Sequence, residues 1–253
     1  MPKIISIINH KGGVGKTTVT ANLGAALAKQ GFSVLLADFD PQANLTAHLD
    51  AVPEDGQPTI ADAIIRNGET PVAPITENLS IIPGNLELAR AESEYAGRMN
   101  AFLLLREKLE QLQSFDYILI DCPPSLGFFT LNALNASTHV LVPCEASKMA
   151  SDGLLTLTEL IGEVQRYGNK ELNLLGVLIS NKAVRTYQNE FEAMMRQHYP
   201  VLDTVIRSYK HLGECASMQQ SIFDYAPQSN SADDFTSLAT EVNQLTQHEK
   251  EIR

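Results

Sequence analysis

An apolar run, Ile4 to Ile8, opens the chain and breaks at Asn9-His10-Lys11-Gly12-Gly13-Val14-Gly15-Lys16-Thr17-Thr18 before a helical pattern begins. Few backbones can satisfy a buried strand, a glycine-rich turn and a helix start in such quick succession. Gly12, Gly13 and Gly15 can turn successive N–H groups inward, and without Cβ atoms they let a phosphate approach. The helix N-terminus that follows adds unpaired donors and the positive end of a dipole. Lys16 can then reach β- and γ-phosphates, and the Thr17 hydroxyl can ligate Mg²⁺. The usual phosphate-loop pattern begins with a glycine where this chain has His10, and here a second lysine, Lys11, stands ahead of the glycines.

Two acidic stations support a nucleotide site. The run Val34–Asp38 leads into Phe39-Asp40-Pro41-Gln42, and Tyr117–Asp121 leads into Cys122-Pro123-Pro124-Ser125. Asp38, Asp40 and Asp121 therefore fall where strands leave a sheet. Open α/β sheets bind ligands at the carboxyl ends of their strands. Carboxylates there can hold the water shell of Mg²⁺ or orient an attacking water.

The rest of the chain alternates in the same way. Strands are predicted at Lys3–Ile8, Ser33–Asp38, Leu79–Pro83, Phe115–Asp121, His139–Pro143, Asn173–Ser180 and Val201–Ile206, each rich in Ile, Leu and Val. Helical patterns cover Thr17–Gln30, Leu86–Gln113, Leu126–Asn135, Asp152–Tyr167, Gln188–His198 and Ala232–Gln247. The proline-bearing stretch Ala51–Thr76 reads as a surface excursion around a short helix, Thr59–Arg66. This pattern predicts an α/β fold of one domain, residues 1–253, with a mostly parallel twisted sheet and helices on both faces. A hydrophobic content of 44% excludes disorder. No run approaches the roughly 20 apolar residues of a membrane span, and the start does not read as a signal peptide. Cys122, Cys144 and Cys215 are widely spaced, which predicts a reducing, cytoplasmic setting and no metal framework.

Lys11-Gly-Gly-Val-Gly-Lys-Thr-Thr18, Asp38-Phe-Asp-Pro-Gln42 and Ile118-Leu-Ile-Asp-Cys-Pro-Pro-Ser125 together resemble the deviant Walker-box ATPases of the ParA/MinD family, and its ParA branch in particular. The resemblance implies a P-loop NTPase fold, ATP and Mg²⁺ as cofactors, and a homodimer with ATP sandwiched between subunits. It implies that Lys11 crosses to the partner's nucleotide, where a cation stabilises charge on the transferred phosphoryl group. Asp40 would position the attacking water, Thr17 would bind Mg²⁺ directly, Asp121 would act through its water shell, and Asp38 would support the site. Hydrolysis would be slow, so that ATP acts as a dimer switch. Asn181, at a strand end, matches the family's base-reading asparagine, and Ala226-Pro227-Gln228-Ser229 matches its loop over adenine.

A net charge of −11 speaks at first against nucleic acid, but the charge is segregated. Residues 148–210 hold eight Lys/Arg and seven acids, a net of +1, which leaves −12 elsewhere. The family's non-specific DNA binding needs only phosphate contacts, pooled from two subunits. Lys182, Arg185, Arg207 and Lys210 are the candidate contacts, although Ser229-Asn-Ser231 stands where the family carries an arginine. Starting two residues before its first strand, the chain is expected to lack an operator-binding helix-turn-helix region. The expected partner is a cargo adaptor or centromere-binding protein that stimulates hydrolysis, with the ATP form on the nucleoid. The cargo could be a plasmid or chromosome, or a protein body as in the McdA-type carboxysome-positioning members.

Two other readings compete. A MinD-like membrane regulator would end in a basic amphipathic helix, whereas residues 234–253 carry two Lys/Arg against four acids. A metabolic or redox relative, of the nitrogenase iron-protein type, would need paired cysteines for an Fe–S cluster. Cys122 and Cys144 both sit at strand ends, but no accompanying cysteine-glycine motif is present.

Overall fold

The computed structural model of the chain describes residues 1–145, 148–182 and 186–248. Its strands are β1 (Lys3–Ile7), β2 (Val34–Asp38), β3 (Ala73–Thr76), β4 (Leu79–Ile82), β5 (Tyr117–Asp121), β6 (His139–Cys144), β7 (Asn173–Lys182) and β8 (Val201–Arg207). Among the described residues they form one eight-stranded sheet in the order β3-β4-β2-β5-β1-β6-β7-β8. All neighbours run parallel except β3, which is antiparallel to β4. The strands nearest the centre are buried on both faces, which is why they read as continuous apolar runs. Alternate residues feed two cores: Ile4, Leu35, Ile118 and Val140 lie in one, and Ile5, Leu36, Leu119 and Leu141 in the other. Helix Phe128–Ala136 closes the first core, and helices Lys16–Lys29 and Asn230–His248 close the second.

Register, more than burial, builds the site. Ile7 on β1 pairs with Asp121 on β5, and Asp121 pairs in turn with Asp38 on β2. The phosphate loop therefore leaves β1 level with both carboxylates. Connections reverse direction between β1 and β6, the switch point at which such sheets open a crevice.

Seven predicted strands are present with ends shifted by at most two residues, and the eighth, β3, was not predicted. The stretch Ala51–Thr76 is more integrated than a surface excursion. Helix Ile60–Ile65 buries Ile60, Ala61 and Ile64 in the first core, and β3 extends the sheet edge. A capping box between Thr59 and Asp62 starts that helix. The single helix expected over Leu86–Gln113 is instead broken into Ala89–Tyr95 and Leu104–Leu109. Gly97, at φ 77°, turns the chain between them.

Both sheet edges are protected. The short β3 carries Pro74. On β8, the backbone N–H groups of Asp203 and Thr204 donate to Glu241 at 2.7 and 2.9 Å, and that of Arg207 donates to Asp234 at 3.1 Å. Inside the β7–β8 pair, Gly176 has φ 154°, and an added Cβ would fall 2.9 Å from the Pro200 carbonyl oxygen and 2.4 Å from Leu202 Cδ1. Gly176→Ala is therefore expected to destabilise the fold by about 1–3 kcal/mol in urea unfolding, and an unchanged midpoint would show that β8 can move aside.

Candidate nucleotide site

Gly13 and Gly15 adopt left-handed angles, φ 77° and 88°, and Gly15 caps helix Lys16–Lys29. Three side chains from outside the glycine run hold the loop. Asn9 donates to the Pro143 carbonyl at 2.8 Å and accepts the Lys11 N–H at 3.0 Å. Ser180, near the end of β7, donates to the Val14 carbonyl at 2.7 Å. His10 lies against Gly153, where an added Cβ would collide with the ring. The residue at the departed glycine position thus packs on helix Lys148–Tyr167.

Gly12, Gly13, Gly15, Lys16, Thr17, Thr18 and Asp40 line a cleft of about 650 Å³. Asn44 and His48 close one side of it, and Pro124 another. Lys16 is buried, its Nζ donating to the Lys11 carbonyl at 3.4 Å. Burial pulls its ammonium below the usual lysine value, against the opposing attraction of Asp121. A second cleft of about 280 Å³ adjoins the far side of the loop. Val14, Thr18, Ile206, Tyr209, Leu212 and Gly213 line it, a mostly apolar surround suited to a flat ring system. The sequence reading missed the wall from Ile206 to Gly213, since apolar residues after a strand carry no motif.

Asp121 is buried, accepting from Thr17 Oγ1 at 2.7 Å and Thr20 Oγ1 at 3.4 Å. Burial, reinforced by the neighbouring charge of Asp38, pushes its carboxyl up to about 8. Asp38 is pushed up to about 6, again mainly by burial, while two hydrogen bonds from Thr46 pull the other way. Asp40 accepts the Gln42 N–H at 2.9 Å. Ionising all three buried carboxyls around the one Lys16 ammonium is unfavourable, which is why Asp38 and Asp121 hold their protons to higher pH, and a hard dication with oxygen ligands would favour the ionised forms. Among the described residues no group of three or more His, Cys, Asp or Glu converges as a metal cage. Mg²⁺ needs none, because phosphates and water supply most of its octahedron.

The other candidates are spread more widely. Lys11 turns from the cleft to an ion pair with Glu145 at 2.7 Å. Arg207 forks onto Asp234 and also lines the second cleft. Lys210, 85% exposed, pairs with Glu214 at 2.7 Å. Pro227 lies outside the second cleft, in a shallow depression with His211 and Gln228. Arg185 and the side chains of Asn181 and Lys182 lie outside the described residues. Cys122, Cys144 and Cys215 are free and buried, and burial raises all three thiols.

Glycine loop, Lys16, Thr17 and strand-end aspartates on a parallel sheet define the class: a P-loop nucleotide hydrolase. Residues 2–174 match a family described as an AAA domain. The sporulation initiation inhibitor protein Soj of Bacillus subtilis is 39% identical over 249 residues, covering 96% of this chain and 98% of its own. The chromosome-partitioning ATPase Soj of Thermus thermophilus is 38% identical, covering 94% of each. Among solved structures, cobyrinic acid a,c-diamide synthase from Mycobacterium smegmatis, with bound ADP and magnesium, superposes with a TM-score of 0.85 at 31% identity. That match covers 100% of this chain and 97% of the other. The chain belongs to the ParA/MinD family of P-loop ATPases. It is an ATPase, and ATP and Mg²⁺ are its cofactors.

The buried carboxylates set a pH dependence. Folded Asp38 and Asp121 hold protons to about pH 6 and 8, whereas unfolded aspartate loses its proton near pH 4. Their contribution to stability is therefore full below about pH 4 and lost as pH rises through 6 and 8. In EDTA without nucleotide, the melting temperature should fall over that range, and Asp121→Asn should flatten the fall. A variant whose melting temperature follows the wild-type slope would contradict this assignment.

Proposed function

We propose that this chain is a nucleotide-switched positioning ATPase that dimerises around ATP and, as a dimer, binds DNA without sequence preference. One observation carries the reading. Asp40 shares a cleft with Lys16 and Thr17, while Lys11 is held at the rim by Glu145, pointing away from that cleft. A second lysine that does not serve its own phosphates can serve a partner's by exchanging Glu145 for them. Asp40 positions the attacking water, and the partner's Lys11 neutralises charge on the transferred group. When Mg²⁺ is bound it offsets phosphate charge; Thr17 would ligate it and Asp121 would order its water. The second cleft, lined by Val14, Ile206, Tyr209 and Leu212, takes adenine, and Asn181 and Pro227 are the base-site residues the family resemblance assigns.

Arg207 ends β8 and Lys210 opens the helix that follows; with Lys182 and Arg185, the other two candidates from the sequence, two subunits would pool them against phosphates. Weak contacts of this kind give salt-sensitive binding, with dissociation constants typically about 10⁻⁴–10⁻⁶ M. A cargo adaptor or centromere-binding protein then stimulates hydrolysis and releases the dimer from the nucleoid. A membrane-bound role finds less support. Phe235, Leu238 and Val242 of the last described helix are buried in the core, with Leu245 more exposed, and among the described residues no helix is long and apolar enough to cross a membrane.

Asp40→Ala is expected to bind ATP, lose hydrolysis by about 100-fold or more, run as a dimer with Mg·ATP and retard random-sequence DNA. Lys11→Ala should bind ATP as a monomer. An Asp40→Ala protein that stays monomeric with Mg·ATP and leaves DNA unshifted at low salt would overturn the reading.

A further inference from the structure

We propose that Thr46 is a positioning residue for hydrolysis: it latches the loop that carries Asp40 onto the ends of β2 and β4, with Asp38 as its anchor. Thr46 lies on the short helix Asn44–His48 and is 1% exposed. Its backbone N–H and its Oγ1 both donate to Asp38 Oδ2, at 2.8 and 2.6 Å. The same Oγ1 accepts from the Gly84 N–H at 2.9 Å, just beyond the end of β4. A hydroxyl has one proton to give, so these partners settle its direction: towards Asp38, with a lone pair towards Gly84. The three groups link β2, β4 and the helix after Asp40 in one buried knot.

Asp38 is walled in by this knot. A Cβ at Gly84 would stand 2.9 Å from the Asp38 carbonyl oxygen and 3.0 Å from its Cγ, so only glycine lets β4 approach so closely. Asp38 is 0% exposed and does not line the phosphate cleft, whereas Asp40, Asn44 and His48 do. Its carboxylate is thus committed to the protein framework, and its part in the reaction is to hold the loop.

The loop needs holding. Between Asp40 and the helix, Ala43 adopts φ 51° and ψ 37°, a left-handed conformation that costs a side chain other than glycine about 1–2 kcal/mol. Asp40 accepts the Gln42 N–H on Oδ1 and the Ala43 N–H on its carbonyl, both at 2.9 Å. Those bonds shape the turn but tie it only to itself. The Asp40 N–H reaches Asp38 Oδ1 only at 3.4 Å; Thr46, three residues beyond Ala43, is the shorter and doubled tie of the turn to the sheet. Without it, the 3.4 Å Asp40–Asp38 bond and buried Leu45 would hold Asp40 and Asn44 less firmly, while Lys16 and the glycines kept their places.

The inference rests on the reading of Asp40 as the water-positioning residue. Full-length Thr46→Val, Thr46→Ser and Asp40→Ala proteins test both separately, through kcat and KM for ATP, mant-ATP affinity and amide hydrogen exchange over residues 40–48. Thr46→Val should lower kcat about tenfold or more while ATP affinity stays within about threefold, since an interaction acting on the reacting geometry moves kcat and not binding. Exchange over residues 40–48 should rise in the nucleotide-free protein. Thr46→Ser, which keeps the hydroxyl, should recover kcat to within about threefold of wild type. If Thr46→Val does not fold, Thr46→Ala is read in its place against the same Thr46→Ser rescue. An unchanged kcat and exchange in Thr46→Val overturns the latch, as does a Thr46→Ser protein no more active than Thr46→Val. An Asp40→Ala protein that hydrolyses ATP at the wild-type rate overturns the reading of Asp40 instead.

Discussion

The parallel register that sets Ile7 and Asp38 on either side of Asp121 is the constraint on which this structure turns. It brings the phosphate loop and the strand-end carboxylates to one level of the sheet, and their burial follows from being at its centre. Burying carboxylates is unfavourable unless something offsets the charge. Thr17, Thr20, Thr46 and Lys16 offset part of it. The remainder is met by protonation, with Asp38 and Asp121 raised to about 6 and 8, and Mg²⁺ is suited to take the place of those protons. Under the proposed function, exchange of those protons for Mg²⁺ is the difference between states that a nucleotide switch needs.

Chemistry-bearing residues are the most legible part of the sequence. The runs Lys11–Thr18, Asp38–Gln42 and Asp121–Ser125 can be placed at strand ends from residue type and order alone, because glycine, lysine and aspartate there have few other uses. Residues that hold those groups in place are not legible in the same way. Asn9, Ser180 and Thr46 act across 134, 166 and 8 residues of sequence respectively, and no local pattern marks a polar side chain that reaches a carbonyl or carboxylate on another element. The lining from Ile206 to Gly213 escapes for a related reason: its residues are ordinary ones made special by the strand beside them.

The same limit explains the errors in the fold. The inner strands announce themselves by continuous apolar runs, but β3 has alternating half-buried and exposed residues and a proline. Helical periodicity over residues 86–113 persists across the turn at Gly97, so the pattern alone could not divide it. Charge patterning was informative about distribution and silent about pairing. Arg207 and Lys210 both carry carboxylate partners, Asp234 and Glu214. The exposed pair, Lys210–Glu214, contributes little in water.

The most direct test is calorimetric titration of ATP into the Asp40→Ala protein at pH 8, with excess Mg²⁺ and again with EDTA. If a deficit of positive charge around Asp121 organises the site, Mg²⁺ should tighten ATP binding by about tenfold or more, since several kcal/mol of carboxylate and phosphate repulsion would otherwise stand uncompensated. Equal affinity in Mg²⁺ and in EDTA would contradict the account.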